Sequence, residues 1–378
     1  MKTVYLDNAA TTPMAEEVVE VMRKSMLEMF GNPSSTHQYG RKAKTVIETA
    51  RKEIASYFKV SSSEIIFTSS GTESNNFILK NAVENLGVKR IITSKIEHHA
   101  VLHVVDFLKE KYNIEVEYVA LDKFGSILLS DLEDKLASSK EKTLVSLMMV
   151  NNEIGNILPI KEVALMVKKY NGFFHSDTVQ AIGYFDLNLS EIPVDFITAS
   201  AHKFHGPKGV GFVFVRKGLV VKPMLYGGSQ EKGARASTEN VHGIVGMHEA
   251  LRLSIKDRGN NLMHVQNIKN YVIEQLRSLN SGISFNGASA DIKNSSPTIL
   301  SVKLPIKNNM LLFSLDLKGV AASAGSACQS GSNKKSHVLT QVLEKEDLEF
   351  SSVRLSFSKY TKMMDVDFFI EIINSFVV

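Results

Sequence analysis

The chain has 378 residues, enough for one large α/β body with an appendage or for two or three domains. Hydrophobic residues make up 44% and charged residues 22%, which excludes a disordered or low-complexity polymer and allows a full core without staples. A net charge of +4, with the basic residues spread along the chain, is too little for a protein built on phosphate-backbone contacts, so no direct nucleic-acid partner is expected.

Cys328 is the single cysteine, so no internal disulfide framework of an oxidised compartment can form. The N-terminal residues reach Asp7 before an apolar segment develops, and no apolar run nears the ~20 residues of a membrane span. A cytoplasmic protein without signal peptide or membrane partner is the expectation.

Strand-like and helix-like segments alternate through the first two-thirds. Val18, Met22, Met26 and Phe30 recur at near-helical spacing, as do Ala43, Ile47, Ala50, Ile54 and Phe58. An apolar helix is expected from about Ser74. Short apolar or alternating runs predict strands at Ile65 to Phe67, Ile91 to Thr93, Val116 to Val119 and Leu144 to Val150. Further strands are predicted at Phe173 to His175, Phe196 to Thr198 and Val210 to Phe214, with amphipathic stretches such as Val101 to Tyr112 and Ile160 to Tyr170 between them. This alternation argues for a largely parallel, covered sheet. From about Val241 the pattern changes to a long helical segment running towards Leu279, with polar residues near Asn260 that could interrupt it. Mixed strands (Thr298 to Leu304, Val353 to Phe357) and helices (about Asn308 to Leu315, Asp365 to Phe376) follow, as in a smaller α+β domain.

Four stretches could carry chemistry. Thr68-Ser69-Ser70-Gly71-Thr72-Glu73-Ser74 leads from a strand into a helix, where free amides and the Thr72 hydroxyl could hold an anion; an ordinary capped helix start reads the same way. Asp177, in His175-Ser176-Asp177-Thr178-Val179-Gln180, ends a buried strand where open α/β sheets bind ligands, or else caps the next helix. Lys203, in Ser200-Ala201-His202-Lys203-Phe204-His205-Gly206-Pro207, lies at a strand end, where shielding from solvent depresses an amine's pKa and suits a Schiff base. Cys328 sits among Gly, Ser and Ala, a setting more suited to a reactive thiol than to an inert core cysteine. His98 and His99 are adjacent, and no cysteine cluster or His-Glu-x-x-His is present, so no metal site is expected.

Further stretches complete the pattern: Tyr5-Leu6-Asp7-Asn8-Ala9-Ala10-Thr11-Thr12, Gly31-Asn32-Pro33-Ser34-Ser35, Glu97-His98-His99-Ala100-Val101, Val150-Asn151-Asn152-Glu153-Ile154-Gly155, Gly227 to Thr238, and Ser352-Val353-Arg354-Leu355-Ser356. In this order, and essentially end to end, the chain resembles the cysteine desulfurases of the NifS/IscS type, fold type I pyridoxal-phosphate enzymes of the class V aminotransferase group. The resemblance implies an α/β fold: a large cofactor-binding domain (15–250) on a mostly parallel seven-stranded sheet, and a smaller α+β domain (251–378) on which residues 1–14 pack.

It also implies roles, residue by residue. Lys203 would hold pyridoxal 5'-phosphate as a Schiff base, Asp177 would face the pyridine nitrogen, His98 would stack on the ring and move protons, and Gln180 would bond the phenolic oxygen. Gly71, Thr72, Ser200 and His202 would hold the phosphate, joined by Thr238 from the neighbouring subunit of a homodimer. Arg354, assisted by Asn152, would grip the substrate carboxylate. The Cys328 thiolate would take sulfur from L-cysteine, leaving alanine and a persulfide for an acceptor protein, an iron–sulfur scaffold or a tRNA-thiolation protein. A selenocysteine lyase or another class V enzyme is the alternative. Departures from the usual pattern are Ser229 and Lys232, where Gly and Arg are common, and Arg235-Ala236-Ser237-Thr238 in place of Arg-Ser-Gly-Thr. Only 24 residues follow Arg354, fewer than in members whose tail docks a scaffold.

Overall fold

A computed structural model describes residues 2–279, 281–325 and 335–377. In chain order the elements begin with β1 (Val4–Tyr5), α1 (Glu16–Glu28), α2 (Gln38–Tyr57), β2 (Ile65–Thr68), α3 (Gly71–Glu84), β3 (Arg90–Thr93), α4 (His99–Tyr112) and β4 (Glu115–Tyr118). Next come α5 (Leu129–Ala137), β5 (Thr143–Ser146), α6 (Ile160–Lys169), β6 (Phe173–Asp177), β7 (Phe196–Ser200), β8 (Gly211–Val215), α7 (Val241–Lys256) and α8 (Arg258–Leu279). The rest are β9 (Ser284–Phe285), β10 (Ile299–Lys303), α9 (Leu311–Leu317), β11 (Val320–Ala321), α10 (Leu339–Val342), β12 (Ser352–Ser356) and α11 (Met363–Val377).

Seven strands form the main sheet in the order β2-β8-β7-β6-β5-β3-β4, with β8 antiparallel to both of its neighbours and the remaining pairs parallel. Its central strands are apolar without alternation because helices cover both faces: Ile91, Ile92, Leu144, Val145, Phe174, Phe196, Ile197, Phe212 and Phe214 are all buried. β2 runs in the same direction as β7, and both Thr68 and Ser200 pair with Gly211 at the start of β8. The turns that leave β2 and β7 therefore meet at one edge, next to the C-terminal end of β6. A side chain at Gly211 would meet the Ala199 carbonyl oxygen at 2.3 Å, so glycine is required for that approach.

A second apolar core joins the three-stranded sheet β12-β10-β9 to α8, α9 and α11. The N-terminal segment belongs to this core: β1 pairs in parallel with β11, Leu6 is buried there, and Asp7 bridges to Ser356. Two elements differ from the sequence expectation, and a third has a break that the sequence left open. Regular pairing on β5 stops at Ser146, although the Leu147 and Met149 amides still donate to the His175 and Asp177 carbonyls before the chain turns at Asn151. The helical segment from Val241 breaks at Asp257, just before the weak helix formers Gly259, Asn260 and Asn261. Finally, α3 starts at Gly71 and not near Ser74, because the Ser70 side chain accepts from the Glu73 amide at 3.1 Å and so caps it.

Candidate active site

Strand ends supply the fixed groups. Asp177 is the last residue of β6 and is buried; its Oδ2 accepts from Asn75 Nδ2 at 2.6 Å and its Oδ1 from the Val179 amide at 3.0 Å. No helix follows it, so it caps none. Two residues earlier on the same face, His175 is fully buried with Nδ1 2.9 Å from Ser146 Oγ, and burial pushes its pKa down to about 4, with Asp177 pulling weakly the other way. It is a neutral imidazole.

A single helical turn follows β7 and presents His202 and Lys203. Lys203 is half-buried, less shielded than its sequence context suggests, and its Nζ donates to the carbonyls of Ala9 at 2.6 Å and Ala10 at 2.8 Å. Gln180 Nε2 donates to the same Ala9 carbonyl at 2.9 Å, and His202 Nδ1 lies 3.1 Å from Thr11 Oγ1. Burial, then the charges of Lys203 and Lys208, lowers the His202 pKa to about 4. Residues 7–12 thus form one wall of the site, fastened by Asn8 Nδ2 to the Ser356 carbonyl at 2.8 Å.

The start of α3 supplies a cradle. A side chain at Gly71 would meet Val179 Cγ2 at 2.7 Å, and among the described residues no protein acceptor takes the Gly71 or Thr72 amide. His98 caps α4 by accepting from the Ala100 amide at Nδ1, 3.1 Å away, which leaves Nε2 to carry the hydrogen. Burial lowers its pKa, and Asp177 offsets part of that. Arg354 is only 2% exposed on β12; its Nη1 donates to the Asn152 carbonyl at 2.8 Å and its Nη2 to Asp7 at 2.7 Å.

Gly71, Thr72, His98, Asn152, Asp177, Gln180, Ser200, His202, Lys203 and Arg354 line one pocket. Thr238 does not. It lies with Ser237 and Arg235 in a separate pocket beside Thr68 and Ser69, on a segment fastened by Arg235 to Glu73 at 2.9 Å. Cys328 lies outside the described residues.

Asn75, Asp7 and the carbonyls of Ala9 and Ala10 are site components that motif reading missed. Asn75 could have been found by helical spacing, since it is four residues from Gly71 and so shares its face. His103 and His337 were also passed over: His103 stands one turn from His99 with ring centroids 4.9 Å apart, and His337 packs on His99 at 4.3 Å.

Residues 4–369 match the family described as Aminotransferase class-V. A cysteine desulfurase IscS of Dictyoglomus turgidum is 42% identical over 375 residues, 98% of this chain and 94% of that relative. Among solved structures, a NifS-like protein superposes with a TM-score of 0.90 at 36% identity, covering 99% of each chain. A structure described as SspA in complex with cysteine gives a TM-score of 0.81 at 30% identity, over 95% of this chain and 100% of that one. These matches cover nearly the whole chain, and the chain belongs to the class V aminotransferase family, among its cysteine desulfurases of the NifS/IscS type.

Proposed function

We propose that the chain converts L-cysteine to L-alanine, with the sulfur passing to Cys328 as a persulfide. The observation that carries this reading is the meeting, in one pocket, of a lysine amine, a buried and doubly hydrogen-bonded carboxylate, amides at a helix start, and a buried arginine. Those groups fit pyridoxal phosphate, the cofactor the family implies: an amine for its aldehyde, an anion for its ring nitrogen, donors for its phosphate. When bound, that cofactor supplies an electron sink for the substrate's α-carbon.

The chain's residues do the remaining work. Asp177, held by Asn75 and the Val179 amide, would oppose a protonated ring nitrogen. Gly71 and Thr72 amides, with Ser200 and neutral His202, would take the phosphate. Gln180 would bond the ring's phenolic oxygen. Lys203 would hold the cofactor through its amine, and His98, whose Nε2 carries the hydrogen, would move protons at the substrate. Arg354 and Asn152 take the substrate carboxylate. The Cys328 thiolate then attacks the substrate's sulfur: an S–S bond forms as the C–S bond breaks, and that bond's electron pair stays with carbon, which takes a proton and leaves as alanine.

The finer assignments belong to the same proposal. Thr238 lines a different pocket of its own chain, which supports its reaching the phosphate held by a neighbouring subunit in a homodimer. Residues 15–250 would form the cofactor body and 251–378 the smaller one, with 1–14 attached; pairing of β1 with β11 supports this division. The acceptor would be a thiol-bearing cytoplasmic protein of iron–sulfur assembly or tRNA thiolation. Among the described residues no helix is long and apolar enough to cross a membrane.

Sulfide and alanine release from L-cysteine under reductant tests the reading. Wild type should make both products, while Cys328→Ala should bind cysteine, seen in the cofactor's visible band, and release no sulfide. An unaffected mutant would leave a lyase or transaminase with a structural thiol.

A further inference from the structure

The N-terminal segment carries a charge that the proposed chemistry does not use. Asp7 bridges in parallel to Ser356, and Arg354 stands two residues before Ser356 on β12, so strand alternation puts Arg354 and Ser356 on one face. Asp7 Oδ1 accepts from Arg354 Nη2 at 2.7 Å, and Asp7 Oδ2 accepts from Ser323 Oγ at 2.8 Å. Ser323 is itself bridged to Arg354 through the backbone. The carboxylate is therefore held from one side by a hydroxyl while its other oxygen holds the guanidinium.

Arg354 needs this support. Its side chain is 2% exposed, so its charge has little water to stabilise it while the pocket holds no carboxylate. Asn152 contributes only a neutral carbonyl to Nη1, and the Nε–H is buried without a partner. One hydrogen at Nη1 and one at Nη2 are engaged, so the guanidinium is anchored at both ends of its fork while each Nη keeps a second hydrogen.

We propose that Asp7 is a positioning residue that fixes the Arg354 guanidinium and so sets affinity for the carboxylate of an amino-acid substrate. The proposal rests on the reading of Arg354 as the carboxylate-binding residue. Its physical content is pre-organisation: a fixed fork loses less side-chain freedom when the substrate arrives. The charge of Asp7 steadies the buried guanidinium before substrate arrives but repels the incoming carboxylate, so for substrate affinity the acceptor atom and its tether matter more than the charge. Asparagine at position 7 keeps the acceptor for Arg354 and can donate to Ser323 Oγ in place of receiving from it; alanine keeps neither.

The test uses the holoenzyme with three variants and three small molecules. L-cysteine turnover gives KM and kcat, L-alanine gives binding without turnover through the cofactor's visible band, and cysteamine is the amine and thiol without the carboxylate. For Asp7→Ala we expect KM for L-cysteine and half-saturation by L-alanine to rise about tenfold or more, with kcat within about threefold and cysteamine binding unchanged. Asp7→Asn should restore both to within about threefold of wild type. Ser323→Ala, which removes only the tether, should shift them in the same direction by about two- to threefold and covers the case in which Asp7→Ala does not fold. Unchanged L-alanine binding in Asp7→Ala and Ser323→Ala, equal weakening of cysteamine, or failure of Asp7→Asn to recover would each overturn the proposal. If wild type released no sulfide from L-cysteine, the desulfurase reading would fall, while the L-alanine titration would still decide the role of Asp7.

Discussion

Asn75 shows how one buried amide prepares a charged group. It is 1% exposed, and its Nδ2 donates at 2.6 Å to the Asp177 oxygen that the Val179 amide does not serve. Without it, that oxygen would face the site with no donor, and leaving a buried carboxylate lone pair unpaired costs on the order of 1–3 kcal/mol. Asp177 would then be freer to turn from a ring nitrogen. Asn75→Ala should lower the apoenzyme's affinity for pyridoxal phosphate about tenfold, read by titrating the visible band, and Asn75→Asp should lower it further by like-charge repulsion. Equal affinity in all three proteins would make Asn75 packing only. Lys203 and Asp177 were legible in the sequence because each sits in a distinctive local pattern, whereas Arg354 was reached only through the family resemblance. Asn75 and Asp7 were not, because their partners lie 102 and 347 residues away, and only the crossovers of the main sheet, for Asn75, and the pairing of the N-terminal segment with β12, for Asp7, bring them together.

The strands of the main sheet were readable because a strand covered on both faces must be apolar throughout, and Ile65 to Phe67 or Phe196 to Thr198 have no other use for such a run. The segment between β8 and α7 gave no such signal, since polar contacts hold it. Glu231 and Lys232 adopt left-handed backbone angles (φ 46° and 57°), and the Glu231 side chain, 2% exposed, accepts from Arg51 at 2.6 and 2.8 Å and from the Phe67 amide at 2.9 Å. This pair fastens to β2 the stretch that ends in Thr238. Breaking a buried pair from one side leaves an uncompensated charge, so Arg51→Met should cost about 3–5 kcal/mol in urea unfolding. The double variant Arg51→Met with Glu231→Gln should cost less than Arg51→Met alone, since no buried charge is left. Additive losses would mean that the two side chains act independently.

Stability of the assembled molecule should rise with pH through two windows, from separate groups. His175 and His205 are buried and His202 is half-buried, in or beside the site, and all three are held to about 4, each chiefly by desolvation. Between about 4 and 6.5 the unfolded chain binds protons that these histidines refuse, so acidification through that window removes stability; buried Glu97 and Asp195, whose pKa values burial raises, act in the opposite sense. The alkaline window has one clear source. Lys269 on α8 is fully buried, donates to Ser295 Oγ at 2.8 Å and to the Ser296 carbonyl at 2.7 Å, and is pushed by burial down to about 7, with Asp291 pulling it partly back. Above about 7 the native chain sheds this proton while the unfolded chain keeps it up to about 10.5. The cost of burying the ammonium is thus fully present below 7 and relieved as pH rises, by about 1.4 kcal/mol per pH unit. Lys269→Met keeps the bulk without the titration. Urea unfolding of both proteins at pH 7 and pH 9 should show wild type gaining on the variant by about 2–3 kcal/mol between the two. A difference independent of pH would mean that Lys269 stays charged in the core, and that Ser295 and Ser296 solvate an ammonium there.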